Sequence, residues 1–391
     1  MANSDRFCDR REKAVHRFLL FSALMLTGIF AAGCADDSAQ CYTATGDVAI
    51  AACSRLIASG RLSSSDLGLA YIKRGIAYRV KGDDDRAITD LNEAIRLDPK
   101  YTIAYTNRGY AYHNKGDYDR AIADYDQAIK LDPKHAEDYV NRGYAYDSKG
   151  NYDRAIADYD EAIRLNPKHA NAYNNRGNAY DNKGDYDRAI ADFNEAIRLN
   201  PNDAVFYDNR GYAYDNKGDY DHAIAEYNQA IRLDPKYANA YNDRGYAYDN
   251  KGDYDRAIAD YNQAIKLDPK YASAYAHRGN AYRQKSDIER AIKDLSEAIH
   301  LSPDYIPAYT YRGLAYEKMS DLDRARADFN AAVTLRAGNM TPTTQAARNI
   351  ARERLTALGE GNAAAAAGPV ASTPSILPGD ASPPPAASGR R

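Results

Sequence analysis

Asn107, Asn141, Asn175 and Asn209 recur at intervals of 34 residues. An asparagine amide offers a donor and an acceptor together, so such a row can pair with peptide groups of any sequence. Arg74, Arg108, Arg142, Arg176, Arg210, Arg244, Arg278 and Arg312 keep the same interval. This row has the charge for an anionic ligand. The reading adopted is structural: the stems pack between elements, and the guanidiniums pair with aspartates or stack on tyrosines. Acid–base and metal chemistry have no comparable basis. The histidines are scattered, His135 and His169 sharing only a variable turn position. No phosphate loop, zinc spacing or nucleophile motif occurs. The expectation is a non-catalytic protein without a cofactor or metal.

The elements that must carry these rows follow from the same period. Pro99, Pro133, Pro167, Pro201, Pro235, Pro269 and Pro303 are spaced by 34 residues. So are Gly75, Gly109, Gly143, Gly177, Gly211, Gly245, Gly279 and Gly313, and the alanines from Ala87 to Ala325. Internal repetition of this length means a stacked array. In the unit 102–135, Ile103 to Lys115 reads as a first helix (A), with Tyr105, Gly109 and Tyr112 on one stripe. Lys115-Gly116 is a stop. Asp117 caps a second helix (B), whose inner face is Ala121, Tyr125 and Ala128. Asp132-Pro133 ends it. With 35 Tyr and no Trp, the chain builds many thin layers joined by amphipathic rings. A net charge of −3 provides no global field toward nucleic acid or anionic lipid.

This pattern resembles the tetratricopeptide repeat, W-x2-L-G-x2-Y…A-x3-F…A…P. Here Tyr105 replaces the Trp and Arg108 the Leu. Gly109 and Tyr112 match, Tyr125 stands for the Phe, and Ala128 and Pro133 match. The resemblance covers 68–339 as eight repeats. It implies an all-α, right-handed α-solenoid of stacked antiparallel helix hairpins. It also implies a concave wall of A helices, with repeat positions 2, 5, 6, 9, 12 and 13 exposed (position 1 being residue 102 and its equivalents). An asparagine ladder on that wall is similar to those with which some members grip extended peptides. The implied groove comprises Asn107, Asn141, Asn175, Asn209 and Asp243 at position 6, with Tyr110, Tyr144, Asn178, Tyr212 and Tyr246 at position 9. Position 13 adds Asn114, Asn182, Asn216 and Asn250. Position 12 is Asp147, Asp181, Asp215 and Asp249 centrally, flanked by Arg79, His113 and Arg283. The central groove is therefore acidic and polar, suited to a neutral or basic extended segment. The competing reading is that these residues are a solvated consensus copied by duplication.

The remaining segments are read by composition. Arg6, Arg10, Arg11, Lys13 and Arg17 precede the apolar run Phe18–Phe30. That run is short for a membrane span, which needs about 20 residues, and suits a signal peptide at 1–33. Ala31-Ala32-Gly33-Cys34 resembles a bacterial lipobox, departing at Ala31, where Leu is preferred. It implies lipidation at Cys34, and ordinary cleavage stays open. Cys41 and Cys53 then remain as a candidate disulfide, stapling a degenerate N-terminal cap at 34–67. A capping helix is expected at 340–359 and an Ala/Pro-rich disordered tail at 360–391. The functional expectation is a protein-interaction scaffold on the periplasmic side of a bacterial envelope, membrane-attached only through its lipid. The alternatives are a peptidoglycan or polysaccharide binder and a self-associating structural element.

Overall fold

The structure, a computed structural model, describes residues 37–336 and 342–360. The proposed signal segment, Cys34 and the tail lie outside the described residues, as does Ala337, where the next proline of the series would fall. The described residues are all-helical: a helical segment at 37–43 is followed by helices joined as consecutive hairpins. The residues form two compact units, Met1–Pro167 and Lys168–Arg391.

In the first unit, α1 is Gly46–Ala58 and α2 is Ser64–Val80. Then come α3 (Asp84–Leu97), α4 (Thr102–Asn114), α5 (Tyr118–Leu131), α6 (Ala136–Ser148) and α7 (Tyr152–Leu165). The second unit contains α8 (Ala170–Asn182), α9 (Tyr186–Leu199), α10 (Ala204–Asn216), α11 (Tyr220–Leu233), α12 (Ala238–Asn250) and α13 (Tyr254–Leu267). It continues with α14 (Ala272–Gln284), α15 (Ile288–Leu301), α16 (Ile306–Lys318), α17 (Leu322–Thr334) and α18 (Pro342–Glu360). From α2 to α16 the even-numbered helices are the A helices, and the odd-numbered α3 to α17 are the B helices.

The turn within each hairpin is fixed by backbone chemistry. Gly116 has φ +75°. Its N–H donates to the His113 carbonyl at 2.8 Å and the Asp117 N–H to the Tyr112 carbonyl at 2.9 Å. That pair of bonds satisfies the last carbonyls of α4. Asp117 in turn caps α5 by accepting from the Arg120 N–H at 3.1 Å. The final two hairpins carry Ser286 and Ser320 at this left-handed position, with φ 62° and 61°.

Each A helix lies tight on its B helix because position 8 is glycine. A Cβ on Gly109 would sit 2.7 Å from a ring carbon of Tyr125, so any larger residue must push the helices apart. The arginine row takes the structural role. Arg108 Nε and Nη2 donate to the Asp124 carboxylate at 2.8 and 2.6 Å, and Nη1 donates to Asn92 Oδ1 on α3 at 2.6 Å. Its guanidinium lies 5.5 Å from the Tyr105 ring centroid. One side chain thus joins A to B and one hairpin to the preceding B helix. The same fork holds Arg244 to Asp260 and Arg312 to Asp328. On the turn edge, Lys115 reaches Asp85 at 2.5 Å and Lys217 reaches Asp187 at 2.7 Å.

At the N-terminal side, Cys41 and Cys53 form a buried disulfide between the 37–43 segment and α1. Around it pack Ala52, Leu56 and Ala70. At the other end α18 covers α16 and α17. Ala347 and Ala351 are buried against a cluster that includes Leu314 and Phe329, with Ile350, Leu355 and Leu358 beside them.

Candidate functional site

In both units successive A helices touch one another, as α4 touches α6 and α10 touches α12. Their mutual contact makes the A layer the face on which the proposed groove residues lie, and it also changes their exposure. Asn107, Asn141, Asn175, Asn209 and Asp243 are only 1–9% exposed. The expectation of an exposed ladder is corrected here. Residues at positions 5, 6 and 12 point into the seam between neighbouring A helices, which is too narrow to leave them in water.

In the first unit Asn107 Nδ2 donates back to the Ile103 carbonyl at 2.8 Å. The Tyr110 hydroxyl donates to Asn141 Oδ1 at 2.6 Å, crossing from α4 to α6. Burial pushes the Tyr110 phenol up to about 12, and the Arg79 guanidinium sits 5.0 Å from its ring centroid. Asn141 Nδ2 is buried without a hydrogen-bond partner. Tyr144, half-buried, stacks on His113 with 4.7 Å between ring centroids. Burial holds the His113 imidazole below its usual range.

In the second unit the seam is a chain of amides. Asn174 Nδ2 donates to Asn175 Oδ1 at 3.3 Å, and Asn209 Nδ2 donates to Asn174 Oδ1 at 2.8 Å. The motif recurs one repeat on: Asn242 Nδ2 donates to Asp243 Oδ1 at 2.9 Å, and Asn242 Oδ1 lies 3.1 Å from His277 Nδ1. Asn178 and Tyr212 are half-buried, and Tyr246 is buried beside His277. The sequence reading included the position-5 asparagines Asn174 and Asn242 only as exposed sites. Their polar identity at one register was visible, and their linking role was not.

The position-12 carboxylates Asp181, Asp215 and Asp249, expected on an exposed acidic groove, are instead buried in this seam. Burial pushes the Asp181 and Asp249 carboxyls up to about 7. Burial and then the charge of Asp181 push Asp215 up to about 8. Asp181 accepts from Asn216 Nδ2 at 3.1 Å. By contrast Asp208 Oδ1, Asn209 Oδ1, Asp215 Oδ1 and Asp249 Oδ1 are buried with no hydrogen-bond partner, as are the Tyr227 and Tyr261 hydroxyls. Among the described residues no group of three or more His, Cys, Asp or Glu is placed to hold a metal ion.

Stacked helical hairpins with a polar A-helix seam define a helical-repeat protein. Family models described as tetratricopeptide repeat or TPR repeat match residues 75–116, 102–135, 140–204, 193–225, 216–252, 250–285, 279–320 and 306–339. Together they span well over half of the chain, which belongs to the tetratricopeptide-repeat family. Among solved structures it is similar to Cut9 in the APC/C hetero-tetramer Cut9–Hcn1, at 19% identity and a TM-score of 0.54. That match covers 78% of this chain and 58% of the other. MamA is 32% identical, covering 42% of this chain and 96% of its own, with a TM-score of 0.38. YrrB, described as "a TPR protein with an unusual peptide-binding site", is 27% identical over 47% of this chain and 95% of its own, with a TM-score of 0.37. No curated protein matches the chain.

Proposed function

We propose that the protein is a non-catalytic scaffold of the bacterial envelope that holds an extended segment of a partner protein along an A-helix layer. The observation that carries this reading is where hydrogen bonding is left unmet. Asn141, Asn209, Asp208, Asp215 and Asp249 each keep a buried polar atom without a partner and lie on A helices, and the B helices add the unpartnered hydroxyls of Tyr159, Tyr227 and Tyr261. The Arg108–Asp124 and Arg244–Asp260 forks that join A to B are saturated, although Arg210, paired with Glu226, leaves its Nε unpartnered. Buried polar groups that lack partners are costly and invite a ligand that supplies them. In the first unit exposed Asn114 with half-buried Tyr110 and Tyr144, and in the second exposed Asn182 with half-buried Tyr212, are the groups that a segment on that unit meets first.

Export is supported by the basic stretch ahead of Phe18–Phe30, the Ala31-Ala32-Gly33-Cys34 sequence, and a disulfide of the kind that persists in oxidising compartments. A lipid on Cys34 would tether the scaffold to its membrane.

Site-specific photocrosslinking in cells tests the surface. A benzophenone amino acid at Asn114 or Asn182 should capture a discrete partner, and one at Asp221, on an outward turn, should not. Capture from Asp221 alone would overturn the reading. Intact mass of membrane-extracted protein tests the location: cleavage before Cys34 with added acyl mass is expected, and an intact N-terminus would refute it.

A further inference from the structure

We propose that the seam between α8 and α10 is a proton-dependent clasp, closed while Asp181 and Asp215 are neutral and parting at its C-terminal end when they ionise. The movement goes beyond the scaffold reading; only its use, to admit a partner to this stretch of the A layer, rests on that reading.

Three observations lead to it. Asp181 and Asp215 hold the same register on adjacent A helices, and both are buried. Second, the pair is short of donors. Asn216 Nδ2 gives Asp181 its bonds, at 3.1 and 3.3 Å, and Asp215 Oδ1 has none. Among the described residues no cation acts on either carboxyl, and the one charge acting on Asp215 is that of Asp181. The other titratable groups within reach are phenols: Tyr212 on α10 itself, Tyr186 on α9, Tyr220 and Tyr227 on α11, and Tyr261 on α13. From α12, Asn250 turns back to its own Tyr246 carbonyl at 3.2 Å. Third, a neighbouring seam is built differently. Asp249 on α12 meets the Arg283 guanidinium of α14, whose charge favours the carboxylate.

Ionisation of both acids puts two like charges into one buried seam, with a single amide donor and no counter-charge to offset them. The helices relieve this by moving apart at that end. Asn209 Nδ2 holds α10 to Asn174 Oδ1 on α8 at 2.8 Å. This bond lies about 10 Å along the helix from Asp181 and so acts as the hinge. Near the parting ends the remaining tie is the exposed Lys217–Asp187 pair at 2.7 Å, and exposed pairs are weak. Burial places the onset near neutral pH, with Asp181 pushed up to about 7 and Asp215, next to it, to about 8. Below that range both acids keep their protons and the seam is closed. Above it the parted ends uncover Tyr212 and Asn216 beside exposed Asn182. The α12–α14 seam, with one acid facing one base, stays closed.

The test uses the full chain with genetically encoded spin labels, which leave Cys41–Cys53 intact, and reads distances by double electron–electron resonance. Labels at Lys183 and Lys251 span α8 to α12 across the clasp, and labels at Lys251 and Lys285 span α12 to α14. Between about pH 6 and about pH 9, either side of the two acids, the first distance should lengthen by about 2 Å or more, and the second should hold within about 1 Å. Asp181→Asn with Asp215→Asn should keep the first distance short at both pH values. Asp221→Asn with Asp255→Asn makes the same charge change on the outer turns and should leave the lengthening intact. An unchanged first distance in the parent overturns the inference. So does lengthening that persists in the Asp181→Asn, Asp215→Asn variant, that vanishes with the outer pair, or that is matched across α12–α14. Loss of helical circular dichroism along with the lengthening would mean unfolding of the unit and overturns the clasp as well. Partner capture at Asn182 tests the scaffold reading separately and is untouched by any of these results.

Discussion

Asp215→Asn should make the protein more stable at alkaline pH and leave it unchanged in mild acid. The Asp215 carboxyl is held up to about 8 by burial and then by Asp181, against a usual 3.8. Below about pH 4 both folded and unfolded chains carry the proton. Between about pH 4 and 8 the unfolded chain releases it and the folded chain keeps it. The folded state then binds more protons, so stability falls as pH rises through this window and levels off above it. A shift of about four units at about 1.4 kcal/mol each sets a ceiling near ~6 kcal/mol. Relaxation and water entry reduce such penalties, so about 2 kcal/mol is the working figure at pH 8. Asparagine keeps the shape and cannot ionise. The variant should therefore match the parent near pH 4 and exceed it by about 2 kcal/mol at pH 8. Urea denaturation by circular dichroism across this range measures the difference, and hydrogen exchange on α10 and α12 localises it. A parent whose stability stays flat or rises over the window would refute the reasoning. So would a variant with the parent's slope.

Other perturbations probe the scaffold. Gly177→Ala brings a Cβ to 2.7 Å from the Phe193 ring; overpacking of about 1–3 kcal/mol outweighs the gain of about 1 kcal/mol in helix propensity, so the thermal midpoint should drop. Arg108→Leu strands the buried Asp124 carboxylate and should cost about 3 kcal/mol, most of it recovered in the double variant with Asp124→Leu; a denaturation cycle measures both. Ser286→Gly relieves a left-handed serine and should add about 1 kcal/mol to the same denaturation free energy. Reducing Cys41–Cys53 should cost the N-terminal cap about 3 kcal/mol, seen as faster hydrogen exchange in α1 with α10 unaffected.

How much was legible in the sequence depends on which contacts the 34-residue period encodes. Glycine at position 8, proline at position 32 and the tyrosine stripe specify a hairpin locally, so the all-helical hairpin architecture could be read directly. The arginine row was also readable, because an arginine in every repeat needs a carboxylate in every repeat, and Asp124 and its equivalents provide one. The openness of the A layer was not readable. It depends on the angle between successive hairpins, a sum of many small packing choices that leaves no periodic mark. Asn209 and Asp243 thus have the types expected of a groove and the burial of a seam. Asp215 was legible as a groove acid, but its burial was not, because that is set by the neighbouring A helices and not by its own stripe.

The arginine hook has a consequence for how this chain tolerates change. Successive hairpins present an oxygen acceptor at the same place on the B helix, as Asn92 does for Arg108, Asp126 for Arg142, Asn228 for Arg244 and Ser296 for Arg312. Excising α10 and α11 as one whole module would therefore leave two cut faces that fit each other. Deleting a single residue inside a helix instead turns every following side chain by about 100° and detaches each hook downstream until the next loop. Such an array is free to grow or shrink in whole modules and intolerant of smaller slips.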